Sequence, residues 1–301
     1  MRVAAKFRQP LTAPVACCVL RGFGLAIGYR LSAILDLLAA VAALPRWVTL
    51  FLVLTAPAAC LAQRATENNP PPLPAAQAKA EAQVLVAELL AQKPDQNSTN
   101  AGQVRIRAQD GKEASIPARF EVFCTPTNWM SIYETLASAD GAPKERLTVI
   151  HSGDRPNQYL LSEPASPGDT NLVTRQLAPS QTMIPFAGSD FWVADLGLEF
   201  LHWPRQRLLK TDMRHSRSCY VLQSTDPNPV PGGYARVVSW ITVDTPHVPV
   251  HADAYDSRGN LLKQFDPTNI EKINGAYQLA EMEMRNHATG SHTWIKFDLS
   301  R

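Results

Sequence analysis

The sequence predicts an α+β fold in which one long helix is followed by a strongly curved antiparallel β-sheet, with short helices on its concave side. Three observations lead to this prediction. Apolar residues follow a helical spacing over one long stretch, near residue 80. Apolar and polar residues then alternate over most of the remaining chain, in roughly ten runs separated by turn residues. A sheet of that size has to curl or close, because neighbouring strands twist relative to each other.

The long helix is predicted over residues 75–93 and is ended by Pro94. Two shorter helices are predicted over residues 128–137 and 189–198. In the last of these, Ser189 is expected to be the N-cap. Apolar residues lie on more than one side of this segment, so we expect it to be buried against the sheet. In the long helix, the apolar stripe is formed by Ala82, Leu85, Val86, Leu89 and Leu90.

Strands are predicted wherever apolar residues alternate between turn signals. Gly259 fits a hairpin that needs one residue at positive φ. Asn274 and Gly275 form the strongest two-residue hairpin signal in the chain. The predicted strands are residues 104–107, 120–123, 147–150, 159–161, 207–213, 218–223, 234–243, 248–255, 261–265, 277–284 and 292–298.

The first 62 residues are predicted to be a leader, a signal peptide that directs the chain to the periplasm. Residues 48–61 are an apolar run that follows Arg46 and ends in small residues, as secretory signals do. The run is shorter than the ~20 apolar residues of a membrane-spanning helix. Because residues 1–45 are long for a leader, two alternatives stay open: an N-terminal membrane anchor, and a true translation start further downstream.

Cys60 adds a further alternative to this leader. A diacylated cysteine would anchor the mature protein to a membrane, and small residues precede Cys60. The usual leucine three positions earlier is replaced by Pro57. We therefore expect a soluble periplasmic form, with a lipid anchor at Cys60 as the alternative.

After the leader, residues 63–74 are predicted to be a proline-rich linker and residues 75–301 a single domain. Residues 1–62 hold six of the 29 Lys and Arg and one of the 27 Asp and Glu, which leaves 23 basic and 26 acidic residues. Binding to nucleic acid through its phosphates requires an excess of basic residues. Nucleic acid is therefore not an expected partner.

Two cysteines and a group of histidine and aspartate residues are candidates for specific chemistry. Cys124 and Cys219 either form one disulfide in an oxidising compartment or remain as two buried thiols. His247, His251 and Asp253 have the even spacing of residues on one face of a strand, as metal ligands would. Because Pro249 cannot donate to a β-ladder, we expect an exposed edge strand there instead of a metal site.

A small acidic cluster, Asp190, Asp195 and Glu199, is expected to cap the short helix or to pair with Arg205 and Arg207.

Five segments of the second half follow one another in a recognisable order and spacing: SDFWVADL at 189–196, SCYVL at 218–222, RVVSWI at 236–241, AYDSRGNLLK at 254–263, and EMEMRN at 281–286 with the hairpin and strand that follow it. Together they resemble the outer-membrane lipoprotein-sorting protein family, which is LolA-like. The resemblance extends over residues 177–299, and the order and spacing of the segments carry the specificity. It implies a periplasmic half-open β-barrel, covered by helices, whose apolar interior holds acyl chains.

These observations predict a carrier and not an enzyme: a periplasmic protein that holds the acyl chains of a lipid or lipoprotein in an apolar cavity and so serves lipoprotein transport. Such binding requires no catalytic residue, metal or cofactor. The alternative for each predicted cavity residue is ordinary core packing. The residues predicted to line or close the cavity are Phe191, Trp192, Leu196, Phe200, Trp203 and Trp240.

Two other functions stay open. The same fold could serve as a sensory or scaffolding module that binds a partner protein, including an envelope membrane protein. The last alternative is a degenerate hydrolase whose Ser and His assemble across strands, although neither lies in a recognised nucleophile motif.

Overall fold

The structure is a computed structural model that describes residues 73–138, 141–153, 155–166, 168–273 and 276–299. The predicted leader, Cys60 and all of the predicted linker except its last two residues lie outside this part of the chain. Within it, no helix is both long enough and apolar enough to cross a membrane.

Thirteen antiparallel strands form one sheet, in the order β6-β5-β4-β3-β2-β1-β13-β12-β11-β10-β9-β8-β7. The first and last strands pair at its centre. Within the described residues β6 and β7 each pair on one side only, so this curved sheet is not closed. The predicted half-open barrel is confirmed. The strands are β1 Ser98–Arg107, β2 Glu113–Cys124, β3 Trp129–Leu136, β4 Pro143–Ser152, β5 Arg155–Pro164, β6 Leu172–Leu177, β7 Arg205–Arg214, β8 Arg217–Thr225, β9 Arg236–Thr242, β10 Pro249–Tyr255, β11 Leu261–Ile273, β12 Ala276–Asn286 and β13 Ser291–Asp298.

The long helix α1, Ala75–Ala91, begins directly after Pro74 and packs on β7. Its buried residues are Ala78, Ala82, Leu85 and Val86, which follow the predicted stripe. The helical spacing therefore identified both the helix and the face that it buries.

Residues 178–204 connect the two edge strands, and we call them the connector. They contain the 3-10 turns Pro179–Gln181 and Glu199–His202 and one short helix, α2, Val193–Leu196. Because β6 and β7 lie at opposite ends of the sheet, the connector has to cross its concave side. The predicted burial of this segment is confirmed, since Phe191, Val193 and Ala194 are almost fully buried.

The predicted helix over residues 128–137 is wrong, because this segment is strand β3 between β2 and β4. Tyr133 lies opposite Phe120 on one side and Leu147 on the other. The apolar residues that gave a helical spacing are divided between the two faces of the strand. Strand β6 was not predicted, because four of its six residues are exposed and no apolar alternation marks it.

The connector helix is also shorter than predicted, and Ser189 is not its cap. The helix starts at Val193, and the carboxylate of Asp195 accepts a hydrogen bond from the backbone N–H of Trp192 at 2.8 Å. Asp190 lies before the helix, and its carboxylate accepts hydrogen bonds from β12 and β13, including one from the Thr293 hydroxyl at 2.8 Å.

The histidine-containing strand does not lie at an edge, because β10 pairs with both β9 and β11. The ladder tolerates Pro249 because the β9–β10 register shifts between Pro249 and His251. Gly259 has the predicted positive φ, at +85°. Asn274 and Gly275 lie outside the described residues, although Ile273 pairs with the residue after them as a hairpin requires. Cys124 and Cys219 are both free thiols.

The interior contains two hydrophobic clusters. One joins the connector to the middle of the sheet, where Phe186, Phe191 and Leu196 pack on residues of β1–β5, β12 and β13. The other lies under α1, where Leu85 and Phe200 pack with residues of β7–β10. Where the two clusters meet, the sheet and the connector leave a space between them.

Candidate functional site: an apolar cavity under the connector

A cavity of about 460 Å³ occupies this space. It is bounded by the concave face of the sheet, by the end of α1 and by the connector, so residues from both clusters contribute to its wall. Its volume falls within the ~300–1,000 Å³ that is typical of sites for small ligands.

Most of the cavity wall is apolar. Aliphatic, aromatic and thioether side chains come from α1, from the connector and from the sheet, and they leave few polar atoms exposed. Such a wall favours an apolar guest, since burying a methylene group contributes about 0.8 kcal/mol. The residues that contribute most clearly are Leu89, Phe191, Leu196, Phe265, Met282 and Met284.

One flank of the cavity carries a buried lysine. Lys263 of β11 is almost fully buried, and its Nζ donates a hydrogen bond to the carbonyl oxygen of Asp190 at 2.6 Å. The same Nζ lies 3.5 Å from the ring centroid of Trp192 and 3.9 Å from Oδ2 of Asp195. Burial lowers the pKa of Lys263 to about 8, although the two aspartates oppose this shift.

Asp195 holds this flank together from the connector. Its Oδ2 accepts hydrogen bonds from the hydroxyl of Tyr234 at 3.1 Å and from the backbone of Trp192. Burial raises the pKa of Asp195, and the charge of Lys263 counteracts the rise. The lysine and the aspartate therefore carry compensating charges, and together with Tyr234 they tie the connector to β11 and to the turn before β9.

A second group of hydrogen bonds fixes the connector to β5. Tyr159 donates from its hydroxyl to Glu199 at 2.7 Å, and Asn157 donates to the carbonyl oxygen of Gly197 at 2.7 Å. Gly197 has no room for a side chain, because a Cβ there would lie 2.2 Å from the Tyr159 hydroxyl. The turn between α2 and the following 3-10 turn is thus held against the sheet at close range.

The opposite flank carries neutral polar groups. Ser131 of β3 lies 3.0 Å from Nε2 of His151 on β4, and the ring of Trp129 stacks on His151 with centroids 3.8 Å apart. His202 of the connector lies on the same part of the wall. Burial, and then the nearby His202, lower the pKa of His151 to about 4, and burial also lowers the pKa of His202.

The comparisons with known proteins bear on the whole domain. The putative outer membrane lipoprotein-sorting protein domain from Vibrio parahaemolyticus is 19% identical and has a TM-score of 0.59, and the match covers 76% of this chain and 93% of that one. A DUF1329 family protein from Desulfovibrio piger ATCC 29098 is 20% identical, with a TM-score of 0.58 and coverage of 73% and 91%.

The chain has a LolA-like fold. A LolA superfamily protein from Nitrosomonas europaea is also similar, at 18% identity, coverage of 72% and 91% and a TM-score of 0.49. A protein-family model described as "Uncharacterized protein" matches residues 169–300. No curated protein matches the sequence.

Within this LolA-like fold, the residues predicted to line the cavity are placed in two groups. Phe191, Leu196 and Phe200 lie on its wall. Trp192 stacks on Tyr234 below Lys263, and Trp203 packs edge-on against Phe200 beside α1. Whether any of these side chains contacts a ligand stays a prediction.

Trp240 lies on the other face of the sheet. It pairs with His251 across β9 and β10, while Ala252 and Ala254, the cavity residues of β10, point the opposite way. The alternation of side chains along a strand explains this placement.

The polar cavity residues were not predicted, although one of them had a signal. Lys263 shares a strand face with Phe265, so a lysine occupies an apolar face of an internal strand. Ser131 and His151 gave no such signal, because they lie on different strands and only the sheet brings them together. Of the two expectations for the acidic cluster, capping is confirmed for Asp195, which accepts the backbone N–H of Trp192 at the start of α2. Within the described residues the cluster contacts Tyr159, Tyr234 and Lys263, and no ion pair with Arg205 or Arg207 is formed.

The lowered pKa of the half-buried His151 predicts a fall in stability at acidic pH. In the unfolded chain a histidine takes up its proton near pH 6.5, whereas His151 in the folded state takes it up only at about pH 4. Because the folded pKa is lowered, stability is lost as the pH falls through this window. We expect the free energy of unfolding to drop less between pH 6.5 and 4 in His151→Gln than in the unchanged protein, as measured by urea denaturation. Equal drops in both proteins would contradict this prediction.

His247, just before β10, and His251 of β10 have separate partners, and within the described part of the chain they belong to no group of ligands that could hold a metal ion. His247 contacts Glu88 of α1, whereas His251 lies 2.8 Å from Asp266 and 2.9 Å from Asp253 on the outer face. Burial alone would lower the pKa of His251, but its hydrogen bonds to the two carboxylates raise it above the ordinary value.

This raised pKa gives His251 the opposite pH dependence from His151. The contribution of His251 is complete below its unfolded pKa of about 6.5 and is lost as the pH rises through the higher folded value. We therefore expect the difference in unfolding free energy between the unchanged protein and His251→Asn to be largest near pH 5.5. Denaturation curves at pH 5.5, 7 and 8.5 should show the difference shrinking, and a difference that grows with pH would refute the assignment.

Proposed function

We propose that this protein is a periplasmic carrier that binds the acyl chain of a lipid or lipoprotein in the cavity under the connector. The observation that carries the proposal is a mostly apolar space of about 460 Å³, bounded by the concave sheet, α1 and the connector. The similarity to an outer membrane lipoprotein-sorting domain supports it at the level of the fold.

The energetics favour an acyl chain. Transfer of each methylene from water to the cavity contributes about 0.8 kcal/mol, so a chain of moderate length needs no strong polar contact to bind. Met282 and Met284 suit such a guest, because unbranched thioether side chains adapt to chains of different shape. Phe191, Leu196 and Phe200 are the proposed ligand contacts of the connector.

The proposal includes the processing and location of the chain. Residues 1–62 act as the leader, and the mature protein begins near Gln63 in the periplasm, with residues 63–74 as a linker. A lipid anchor at Cys60 is the alternative form. Mass spectrometry of the protein recovered from the periplasm and from membranes distinguishes them, because a diacylated Cys60 would be the mature N-terminus.

A direct test is to express the full chain in a bacterium, purify the exported protein without detergent, and extract it for lipid mass spectrometry. A carrier is expected to retain acyl-bearing molecules at a substantial fraction of one per protein. Protein that is consistently empty, and that also fails to bind added lipid, would count against the carrier and favour the partner-binding module.

A cavity-blocking variant links binding to the cavity itself. Ala252 of β10 lies on the wall, so Ala252→Trp places a large side chain in the space that the ligand would occupy. We expect the affinity for a fluorescent fatty-acid analogue to fall at least about tenfold, since several methylene contacts are lost. Met213→Trp is the matched control, because Met213 is 63% exposed and does not line the cavity. Equal affinities in the two variants would place the binding site elsewhere.

A further inference from the structure

The cavity wall has two polar regions with different properties, and they lie on opposite flanks of the sheet. Lys263 and Asp195 lie on the flank formed by β9–β11. Ser131 and His151 lie on the flank formed by β3–β5, with His202 of the connector beside them. Four strands separate β3 from β11 in the sheet order, and Phe297 of β13 with Met282 and Met284 of β12 forms an apolar part of the wall between the two regions.

On the lysine flank, the positive charge of Lys263 is already compensated by groups of the protein itself. The ammonium group of Lys263 donates to a carbonyl oxygen, lies on the ring of Trp192 and has the carboxylate of Asp195 at 3.9 Å. Among the described residues that line the cavity, Asp195 and Lys263 are the only Asp, Glu, Lys or Arg. An anionic guest would therefore find no unmatched positive charge on the wall.

The histidine flank, in contrast, has hydrogen-bonding capacity to spare. No side-chain hydrogen bond of His202 is formed within the described part of the chain, and this half-buried ring borders the cavity. Ser98 and Asn100 of β1 also border it, and their side chains likewise have no partner among the described residues. Ser98 of β1 pairs with Val122 of β2, which pairs in turn with Ser131 of β3, so the two serines are aligned across the sheet.

The hydrogen-bonding groups of the histidine flank are uncharged. Burial lowers the pKa values of both His151 and His202, so both imidazoles are uncharged at neutral pH. A neutral imidazole presents one donor and one acceptor, and a hydroxyl group presents both. Such groups satisfy a hydroxyl, ester or amide, whereas an anion placed here would lose its hydration without gaining a countercharge.

We propose that Ser131, His151 and His202 form a subsite for the head group of the bound ligand, and that this head group is uncharged. The inference rests on the proposed function, since it assigns a class of head group to the acyl ligand of the same cavity. The acyl chain then extends from this subsite over Phe191 and toward Met282 and Met284. The ligand class is an acyl ester or amide with free hydroxyl or carbonyl groups, such as a monoacylglycerol.

The test compares ligands that share one acyl chain and differ only in the head group. Binding of 1-monooleoylglycerol, oleate and oleoyl lysophosphatidate to the full chain is measured at pH 7.5 by displacement of a fluorescent probe. We expect the glyceride to bind at least about five times more tightly than either anion, as one or two neutral hydrogen bonds would produce. Equal or tighter binding of either anion overturns the uncharged head group.

Substitutions in the proposed subsite test whether the head group binds there. His202→Leu and Ser131→Ala are each expected to weaken glyceride binding about three- to tenfold and to change oleate binding less than twofold. His287→Leu is the control, since His287 is exposed and does not line the cavity. If one of the two subsite variants does not fold, the other still tests the subsite. Circular dichroism shows whether each variant is folded.

The outcomes separate this inference from the proposed function. If no ligand of any head group binds, the carrier itself is refuted. If all three ligands bind with similar affinity, or if the variants weaken oleate and the glyceride equally, the carrier stands and the head-group subsite is wrong.

Discussion

Asp195→Ala is expected to lower the free energy of unfolding by about 3–5 kcal/mol, the cost of removing one partner from a buried ion pair. The substitution removes the larger of the two countercharges of Lys263, whose side chain is 2% exposed, and leaves only Asp190. It also removes the acceptor of the Tyr234 hydroxyl and of the Trp192 backbone N–H. The connector should then detach more easily from β11 and from the turn before β9. Urea denaturation at pH 7 measures the change.

Two further variants separate the causes of this effect. Asp195→Asn keeps an oxygen that can accept hydrogen bonds but removes the charge, so we expect it to cost less than Asp195→Ala. Asp212→Ala is the surface control, because Asp212 also pairs with a lysine, Lys210, but both side chains are more than a third exposed. Such a pair contributes about 0–1 kcal/mol. If Asp195→Ala costs no more than Asp212→Ala, the buried pair does not hold the connector.

Gly197→Ala is expected to destabilise the protein by about 2–3 kcal/mol and to weaken ligand binding, because it forces two packed elements apart. A Cβ at this position would lie 2.2–2.7 Å from three atoms of the Tyr159 side chain. That side chain is fully buried and bonded to Glu199, so it cannot turn away. The connector has to shift, and Leu196 and Leu198 on the cavity wall shift with it.

The control for this substitution is a glycine with a different constraint. Gly232 has a φ of +77° and open space where its Cβ would be. Gly232→Ala therefore costs only the backbone strain of a left-handed residue, about 1–2 kcal/mol, and should leave ligand binding unchanged. Thermal unfolding and probe binding of both variants distinguish the steric clash from backbone strain. Unchanged ligand affinity in Gly197→Ala would show that the connector does not shape the cavity.

The pattern of apolar residues determined the elements that are amphipathic on their own. The stripe from Ala82 to Leu90 predicted α1 and its buried face, and the alternation from Arg207 onward predicted the strands of the second half. Each of these elements has its apolar residues on one side, so the local period also identifies the side that faces the core. Segment 129–136 has apolar residues on both sides, and the local pattern therefore indicated a helix where the sheet imposes a strand.

The fold class, the long helix, the buried connector and the apolar character of the interior could be predicted from the chain alone, because they follow from its periods and composition. The separation of β6 and β7, the cavity between the connector and the sheet, and the contacts of Lys263 with Asp195 and of Ser131 with His151 became visible only in the folded arrangement. A strand's period fixes which side chains share its face, but the order and curvature of the strands decide which faces meet.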